Sequence, residues 1–108
     1  MVKKKKTSSK DPDSPPSAIQ AASITAIFDP NFRADLIWWA RTQPATFDRI
    51  LNLIEAVLAD PFNGIGKPER LKHLQDNIWS RRITQEHRLV YLIKQNQIYF
   101  LQARFHYQ

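Results

Sequence analysis

A short stretch near the middle of the chain divides it into two parts with different hydrophobic periodicity. Residues 60–68 (Asp-Pro-Phe-Asn-Gly-Ile-Gly-Lys-Pro) hold both glycines of the chain and two of its seven prolines, a composition typical of a loop. Before this loop, apolar residues recur at the spacing of amphipathic helices. After it, apolar and polar residues alternate as in strands with one buried face. This order restricts the chain to an α+β fold, in which the helices and most strands occupy separate parts of the sequence.

The first part is predicted to hold one strand and two helices. Residues 23–28 form the expected strand, and Asp29 and Pro30 then suit the start of a helix, because a proline in the first helical position loses no hydrogen bond. We predict helices over residues 30–42 and 46–58, each with its apolar side chains on one stripe. The short connection between them is typical of an antiparallel helix pair. We therefore assign their aromatic and aliphatic side chains to the core.

The second part is predicted to form the sheet. A short extended piece is expected near residues 71–74, and three strands follow over residues 78–84, 87–94 and 97–105. The dipeptide Gln95-Asn96 suits a two-residue hairpin turn. We therefore predict an α+β domain in which the two N-terminal helices pack on one face of an antiparallel sheet of four or so strands. The other face of the sheet is then free to be basic and solvated.

Composition divides the chain into a tail and one domain. Residues 1–22 are rich in lysine, serine, proline and aspartate and hold almost nothing to bury, so we expect a disordered basic tail. Residues 23–108 are enough for a single domain, and a hydrophobic content of 43% is enough for one small core. The sequence has no apolar run that could span a bilayer and no apolar segment after its N-terminal charges. We expect a cytoplasmic protein that does not contact a membrane.

Positive charge is not confined to the tail. Residues 1–22 hold five of the 16 basic and two of the 10 acidic residues, so the tail and the domain each contribute half of the net charge of +6. The basic residues of the domain are concentrated in its second part: Lys67, Arg70, Lys72, Arg81, Arg82, Arg88 and Arg104. A polyanionic partner suits such a concentration, although an ordinary solvated surface accounts for it equally well. Under the first interpretation, the expected RNA or phosphate contacts are Lys67, Lys72, Arg81, Arg82 and Arg104.

Several kinds of catalytic site have no support in the sequence. His73, His87 and His106 lack metal-ligand spacing, and no cluster of carboxylates accompanies them. No serine lies in a nucleophile elbow, and the absence of cysteine excludes thiol nucleophiles. The two glycines of the central loop are not set between the strand and the helix of a phosphate-binding loop. We therefore expect neither a metal site nor a cofactor.

Cleavage of RNA by acid–base chemistry needs no metal, and the second part of the chain holds candidate groups for it. Such cleavage needs a base for the ribose 2′-OH, cations for the phosphate and an acid for the leaving 5′-oxygen. Glu69 is a candidate base, and Arg82 and Arg88 can bind the phosphate as planar forks. His106 is the candidate acid, and Tyr107 can stack on a base or orient the phosphate. Each of these residues can equally be an ion-paired or solvated surface side chain.

The second part also carries long motifs in a particular order and spacing. They are Pro61-Phe62, Gly64-Ile-Gly-Lys-Pro-Glu-Arg-Leu-Lys-His73, Trp79-Ser-Arg-Arg-Ile-Thr-Gln-Glu-His-Arg-Leu-Val-Tyr91 and Arg104-Phe-His-Tyr107. In these motifs the chain resembles the YoeB (Txe) family of bacterial toxins, within the wider RelE/ParE superfamily. The preceding strand and helices match that family in layout but scarcely in residues. The resemblance implies a RelE-like fold, which is also similar to that of microbial ribonucleases.

The function implied by the resemblance is that of a toxin of a type II toxin–antitoxin system that acts as a ribosome-dependent mRNA endonuclease. Such toxins enter the ribosomal A site and cut the codon there, which inhibits translation. The cut leaves a 2′,3′-cyclic or 3′-phosphate and a 5′-hydroxyl. The partners implied are a cognate antitoxin protein, the ribosome and mRNA, with a homodimer as a further option.

The resemblance also implies roles for individual residues. Glu69, in the Lys-Pro-Glu motif, is the general base, and Arg88 stabilises the transition state. His106 is the general acid, and Tyr107 supports it. The residues implied to contact phosphate are Lys72 and Arg82.

Two other functions stay open. ParE-type relatives share the fold but poison DNA gyrase by binding, and they lack the Glu/Arg/His set, so the presence of that set here favours cleavage. The second alternative is a basic RNA- or ribosome-binding module that never cuts.

Strand alternation sets a condition on the proposed site. A two-residue turn at Gln95-Asn96 would pair Arg88 with Ala103 in a regular hairpin. Arg88 and His106 would then lie on opposite faces of the sheet. We therefore predict that the chain bends or leaves the sheet after about Arg104, or that a longer turn or a bulge shifts the register.

Overall fold

The computed structural model describes residues 24–106, and the predicted tail, Ser23, Tyr107 and Gln108 lie outside that range. The elements in chain order are β1 (Thr25–Phe28), α1 (Pro30–Thr42), α2 (Pro44–Ala59), β2 (Glu69–Arg70), β3 (Ile78–Arg82), β4 (Arg88–Lys94) and β5 (Gln97–Gln102). The α+β class and both predicted helices are confirmed. Within the described range, neither helix is long and apolar enough to cross a membrane.

Prolines determine where both helices begin. Asp29 caps α1, because its Oδ1 accepts the N–H of Asn31 at 2.9 Å, and Pro30 occupies the first turn. α2 begins at Pro44, slightly earlier than predicted, since proline also suits the first turn there. Gln43 is therefore the only residue between the helices, and its N–H donates back to the last turn of α1 at 2.8 Å.

The sheet is mixed, whereas a wholly antiparallel sheet was predicted. Its strand order is β1-β5-β4-β3-β2. Strands β2 to β5 pair antiparallel as expected, and β1 pairs parallel with β5 at the edge. Because both helices and three strands separate β1 from β5 along the chain, no hairpin determines their relative direction.

The short strand before β3 lies earlier than predicted. The extended piece expected near residues 71–74 is at Glu69–Arg70, where it pairs with β3. Residues 71–74 instead turn, and the N–H of Leu74 donates to the carbonyl of Leu71 at 3.1 Å. The two leucines have the spacing of a helical or turn segment, and half-burial at that spacing does not require a strand.

The helices bury one face of the sheet. The core cluster consists of Phe32, Trp39, Ile50, Leu53, Ile54, Val57, Ile83, Leu89, Tyr91, Ile98, Phe100 and Ala103. Its members come from both helices, from alternate positions of β4 and β5, and from Ile83 and Ala103, which directly follow β3 and β5. Since α1 and α2 pack on this face, the opposite face carries no helix from the described part of the chain.

A bulge interrupts the pairing of β4 with β5. The two-residue turn at Gln95-Asn96 is confirmed, and pairing is regular from that turn back to Tyr91. The next residue, Val90, pairs with Gln102, so Leu101 is an extra residue on β5. The predicted departure from regular pairing is therefore confirmed.

Candidate active site

A small cleft opens on the helix-free face of the sheet. It has a volume of about 260 Å³, and its lining residues are Glu69, Leu71, His73, Ser80, Arg88 and His106. Three of the residues that the sequence predicts as catalytic, Glu69, Arg88 and His106, therefore lie around one cleft. The fourth, Tyr107, lies outside the described residues.

Glu69 is held at the edge of the sheet by the loop before it. Gly66 has φ +83°, and its carbonyl accepts the N–H of Arg82 at 2.6 Å, which ties the loop to the end of β3. A Cβ at Gly66 would lie 2.8 Å from Leu53, so the position needs glycine both for its conformation and for its space. Glu69 then pairs with Ser80 in the sheet, and its side chain is 67% exposed. The backbone of Glu69 is thus fixed, and its carboxylate is open to a ligand.

Arg88 forms a wall of the cleft. Its side chain is only 13% exposed, and its Nη2 donates to Ser80 Oγ at 2.8 Å and to Glu69 Oε1 at 3.4 Å. The Ser80 hydroxyl is itself buried, so the shorter bond holds the guanidinium firmly. The longer bond, to an exposed carboxylate, is weak. A phosphate entering the cleft can therefore replace Glu69 as the partner of Arg88.

A second arginine lies directly opposite the first. Arg82 on β3 pairs with Arg88 on β4, and the Arg82 side chain is exposed. Among residues 24–106, the only ion pair within 4.0 Å is that of Arg88 with Glu69. Like charges directly opposite each other destabilise a sheet. Arg82 is not among the residues that line the cleft, but its pairing with Arg88 places two cations side by side, which favours an anionic ligand near them.

The bulge contributes to the placement of His106. In a regular hairpin Arg88 would face Ala103, and His106 would lie on the opposite side of the sheet. With Leu101 inserted, Val90 pairs with Gln102 instead of Leu101, so the side-chain alternation of β5 relative to β4 shifts by one residue at that point. Arg88 and His106 both line the cleft.

A bend completes the placement of His106. Strand β5 ends at Gln102, earlier than predicted, and Phe105 has a φ of +59°, which is unusual for a residue with a side chain. The carbonyl of Phe105 still accepts the N–H of Arg88 at 3.1 Å. The predicted bend near the chain end is thus confirmed, and it lies directly before the imidazole that reaches the cleft.

Arg81 does not belong to the site. Its side chain is fully buried, and its guanidinium donates to the carbonyls of Asn63 and Ile65 at 3.0 and 3.1 Å. Its Nε also donates to the Tyr91 hydroxyl at 3.2 Å. The prediction that Arg81 contacts RNA is therefore wrong. Consecutive strand residues point to opposite faces, so only Arg82 of the Arg-Arg pair reaches solvent.

Two groups around Arg81 have shifted pKa values. A hydrogen bond from the N–H of Phe62, at 3.0 Å, lowers the pKa of the Asp60 carboxyl, and Asn63 contributes in the same direction. Burial raises the pKa of the Tyr91 hydroxyl, although its hydrogen bond with Arg81 opposes the shift. Both groups stabilise the central loop and neither lines the cleft.

The prediction of a phosphate contact for Arg104 is also not supported. Its guanidinium carbon lies 3.9 Å from the centre of the Trp38 ring and 5.1 Å from that of Phe105. This stacking holds the cation against α1, and Arg104 is not among the residues that line the cleft.

Lys67 and Lys72 flank the candidate base along the chain. Both side chains are exposed, one on each side of Glu69. They can extend the positive surface beyond the cleft, toward the phosphates of a longer strand. Their contact with RNA stays a prediction.

The sequence did not reveal three residues that shape the site. Ser80 is an ordinary alternating strand residue until the sheet register places it against Arg88. His73 lies in a recognisable motif but had no assigned role, and its imidazole lines the cleft. The Nδ1 atom of His87 accepts the N–H of Phe105 at 2.8 Å, a contact that no local pattern announces.

The groups around the cleft suit proton transfer beside an anion. They are a carboxylate, a guanidinium, a hydroxyl and two imidazoles. In the part of the chain that the structure describes, no group of three or more histidine, aspartate or glutamate side chains is placed to hold a metal ion.

Comparison with known proteins agrees with the motifs. A family model described as "YoeB-like toxin of bacterial type II toxin-antitoxin system" matches residues 28–107. The toxin RelK of Mycobacterium tuberculosis is 45% identical over 80 residues, which are 74% of this chain and 94% of RelK.

Solved structures agree with the fold. A YoeB/ParE toxin from Agrobacterium tumefaciens has a TM-score of 0.72 and 38% identity, covering 77% of this chain and 99% of the other. YoeB of Staphylococcus aureus, solved as a dimer, has a TM-score of 0.70 and 32% identity, covering 79% and 99%. In its heterotetrameric complex with YefM, the same toxin has a TM-score of 0.64 and 31% identity, covering 78% and 98%.

Proposed function

Because the chain belongs to the YoeB-like toxin family of bacterial type II toxin–antitoxin systems, we propose that it is an endoribonuclease that cuts mRNA in the ribosomal A site. The observation that carries this proposal is the single cleft lined by Glu69, Arg88 and His106. A base, a cation and an acid around one space are what metal-free cleavage of RNA requires. Cutting of the A-site codon stops translation, and the site of action is the cytoplasm.

Glu69 and His106 divide the proton transfers between them. The Glu69 carboxylate takes the proton of the ribose 2′-OH, and the 2′-oxygen then attacks the neighbouring phosphorus. The bond from phosphorus to the 5′-oxygen breaks, and the protonated imidazole of His106 gives its proton to that oxygen. The products are a 2′,3′-cyclic phosphate and a 5′-hydroxyl, and water opens the cyclic ester to a 3′-phosphate. Exchange with solvent returns both groups to their starting states.

Arg88 stabilises the charge on the phosphate in the transition state. Its guanidinium is already held by Ser80 and is little exposed, so it needs no large reorganisation when the substrate enters. Its weak contact with Glu69 gives way to the phosphate, which frees the carboxylate to act as the base. Arg82, directly opposite on β3, supplies a second fork to the same or the next phosphate.

Other residues support binding. Lys67 and Lys72, on either side of Glu69, are proposed to contact phosphates along the mRNA or ribosomal RNA. Tyr107 is proposed to support His106, as the resemblance implies.

The proposed protein partners follow from the relatives. The Staphylococcus aureus toxin was solved both as a dimer and in complex with YefM. We propose for this chain a cognate antitoxin that covers or distorts the cleft, and a homodimer as the state of the free toxin.

Cleavage in a defined translation system tests the proposal. A known message is translated with purified ribosomes, and its 3′ ends are mapped with and without the protein. We expect cuts at the A-site codon that fall by about 100- to 10,000-fold in Glu69→Gln and in His106→Ala, because each change removes one proton transfer. Ribosome affinity should persist in both variants, since the basic side chains remain.

The matched control is Glu55→Gln, the same isosteric change at an exposed position on α2. It should cut at the wild-type rate. Equal cutting by wild type and the Glu69→Gln, His106→Ala double variant would contradict the mechanism. Tight ribosome binding by a wild-type protein that never cuts would favour a non-cleaving toxin or a binding module.

A further inference from the structure

The segment that carries His106 lies beyond the end of β5 and is held by specific contacts. The N–H of Ala103 donates to Asp35 Oδ2 at 2.8 Å, and its carbonyl accepts the indole N–H of Trp39, also at 2.8 Å. Both of these partners lie on α1. The backbone of the strand end is therefore fixed by side chains of a helix after strand pairing has stopped.

Phe105, the residue before His106, is held at both of its backbone polar groups. Its carbonyl accepts the N–H of Arg88 at 3.1 Å, and its own N–H donates to His87 Nδ1 at 2.8 Å. His87, which precedes β4, and Arg88, its first residue, thus anchor the peptide before the candidate acid. A φ of +59° at a phenylalanine is unfavourable by itself, so these bonds are needed to maintain it.

The His87 ring is well placed to act as a fixed acceptor. Its centre lies 4.9 Å from the centre of the Trp39 ring, in a T-shaped arrangement, and 4.9 Å from the centre of the Phe105 ring. Its backbone N–H also lies 3.2 Å from the Thr84 hydroxyl oxygen. A backbone N–H can only donate, so Nδ1 must present its lone pair and the neutral ring carries its proton on Nε2.

We propose that His87 is a positioning residue, whose Nδ1 holds Phe105 in its left-handed conformation and so directs the His106 imidazole into the cleft. This inference rests on the proposed function of His106. His87 does not itself line the cleft, and its Nδ1 is already engaged, so it acts through the backbone rather than on the substrate. The left-handed turn and the bulge at Leu101 together bring the acid to the face of Arg88.

Two amide variants distinguish the contribution of the hydrogen-bond acceptor from that of the aromatic ring. In His87→Asn the amide oxygen stands the same number of bonds from the backbone as Nδ1, whereas in His87→Gln it stands one bond farther, at the place of Nε2. Both side chains are neutral and polar, so they differ mainly in which position they can occupy. His87→Phe, which keeps a flat ring and removes the acceptor, is the second test of lost function should the glutamine variant unfold.

Two measurements are made on each variant, after circular dichroism has established folding. The first is the rate of A-site cutting together with the affinity for ribosomes. We expect His87→Gln and His87→Phe to cut roughly 10- to 100-fold more slowly at unchanged affinity, because a misplaced acid slows the chemical step. His87→Asn should recover most of the rate.

The second measurement does not depend on activity. Hydrogen exchange of the Phe105 amide, followed by NMR, should be slow in wild type and in His87→Asn and faster in the other two variants. Unchanged exchange in His87→Phe would overturn the inference, as would wild-type cutting by that variant or an equal loss of affinity and rate. A wild-type protein that does not cut, but whose Phe105 amide loses protection in His87→Phe, would contradict the proposed function and leave the positioning contact established.

Discussion

Arg81 is a fully buried cation whose partners are mostly carbonyl oxygens. Its guanidinium donates to three backbone carbonyls of the central loop, those of Asp60, Asn63 and Ile65, and to the Tyr91 hydroxyl. A buried charge is tolerated only when hydrogen bonds replace its hydration. This one side chain therefore joins β3 to the loop that precedes Glu69.

Arg81→Lys is expected to destabilise the fold by about 2–5 kcal/mol, because an ammonium group cannot reach all the partners of the guanidinium and leaves a buried charge with fewer hydrogen bonds. The measurement is the free energy of unfolding in urea. The matched control is Arg82→Lys, at the exposed neighbouring position, which should stay within about 0.5 kcal/mol of wild type. Equal stability of the two variants would contradict the structural role of Arg81.

The central loop and β4 are joined by one phenol. The Tyr91 hydroxyl donates to the carbonyl of Pro61 at 2.6 Å, and the ring lies in the core. Burial raises the pKa of this hydroxyl above its ordinary value of about 10. The folded protein therefore retains the proton of Tyr91 at pH values where the unfolded chain has begun to lose it.

The stability that Tyr91 contributes should consequently depend on alkaline pH. It is fully present below about pH 10 and is lost as the pH rises through the raised pKa of the folded state. Tyr91→Phe should lose about 1–3 kcal/mol near neutrality, since the carbonyl of Pro61 loses its donor. The difference in stability between wild type and Tyr91→Phe should become smaller above pH 10.

Thermal unfolding of both proteins between pH 7 and 11 measures this difference. Tyr99→Phe is the control, because the Tyr99 hydroxyl bonds only within its own strand, to Gln97. A gap between wild type and Tyr91→Phe that is constant over the whole range would count against the assignment.

On the scale of the whole molecule, the helices stabilise one face of the sheet and leave the other for the cleft. The catalytic candidates come from β2, from the start of β4 and from the segment after β5. None of them comes from residues 1–22, which hold five of the 16 basic residues of the chain. Its positive charge is therefore the one property of that segment that indicates a polyanionic partner.

Removal of residues 1–22 is expected to leave A-site cutting intact. Fewer lysines should also make ribosome affinity less dependent on salt, because fewer counterions are released on binding. The measurement compares cutting rates and affinities at several salt concentrations, and a full-length variant with the lysines at positions 3–6 changed to glutamine is the control. A collapse of cutting in the shortened protein would assign the segment to the catalytic machinery.

Local chemistry explains which parts of the fold are readable from the sequence. Pro30 marked the start of α1 because a proline in the first turn needs no N–H partner, whereas Pro44, which has the same property, was not predicted as the start of α2. The Gln95-Asn96 turn and the alternation of β3 to β5 are likewise short-range patterns. The parallel edge strand β1 was not predicted, because its partner β5 lies at the far end of the chain and no local residue specifies that pairing.

The site divides in the same way. The motifs around Glu69, Arg88 and His106 identified these residues, and the condition that alternation placed on them was also apparent from the sequence. The burial of Arg81 was not, because the Arg-Arg pair has no local feature that tells which member faces the core. The contact of Arg88 with Ser80 depends on the register between two strands, so it could not be predicted from the sequence either.

The sequence by itself determined the elements, their order and the identity of the candidate catalytic groups, because these follow from neighbouring residues and from motifs. Only the tertiary structure decided that the groups meet. That outcome depends on one extra residue at Leu101, which shifts the side-chain alternation of β5 by one residue, and on the bonds from α1 and His87 that hold the segment after β5. Both depend on contacts between residues that are far apart in the sequence. A shift of one residue in pairing is enough to exchange the two faces of a strand.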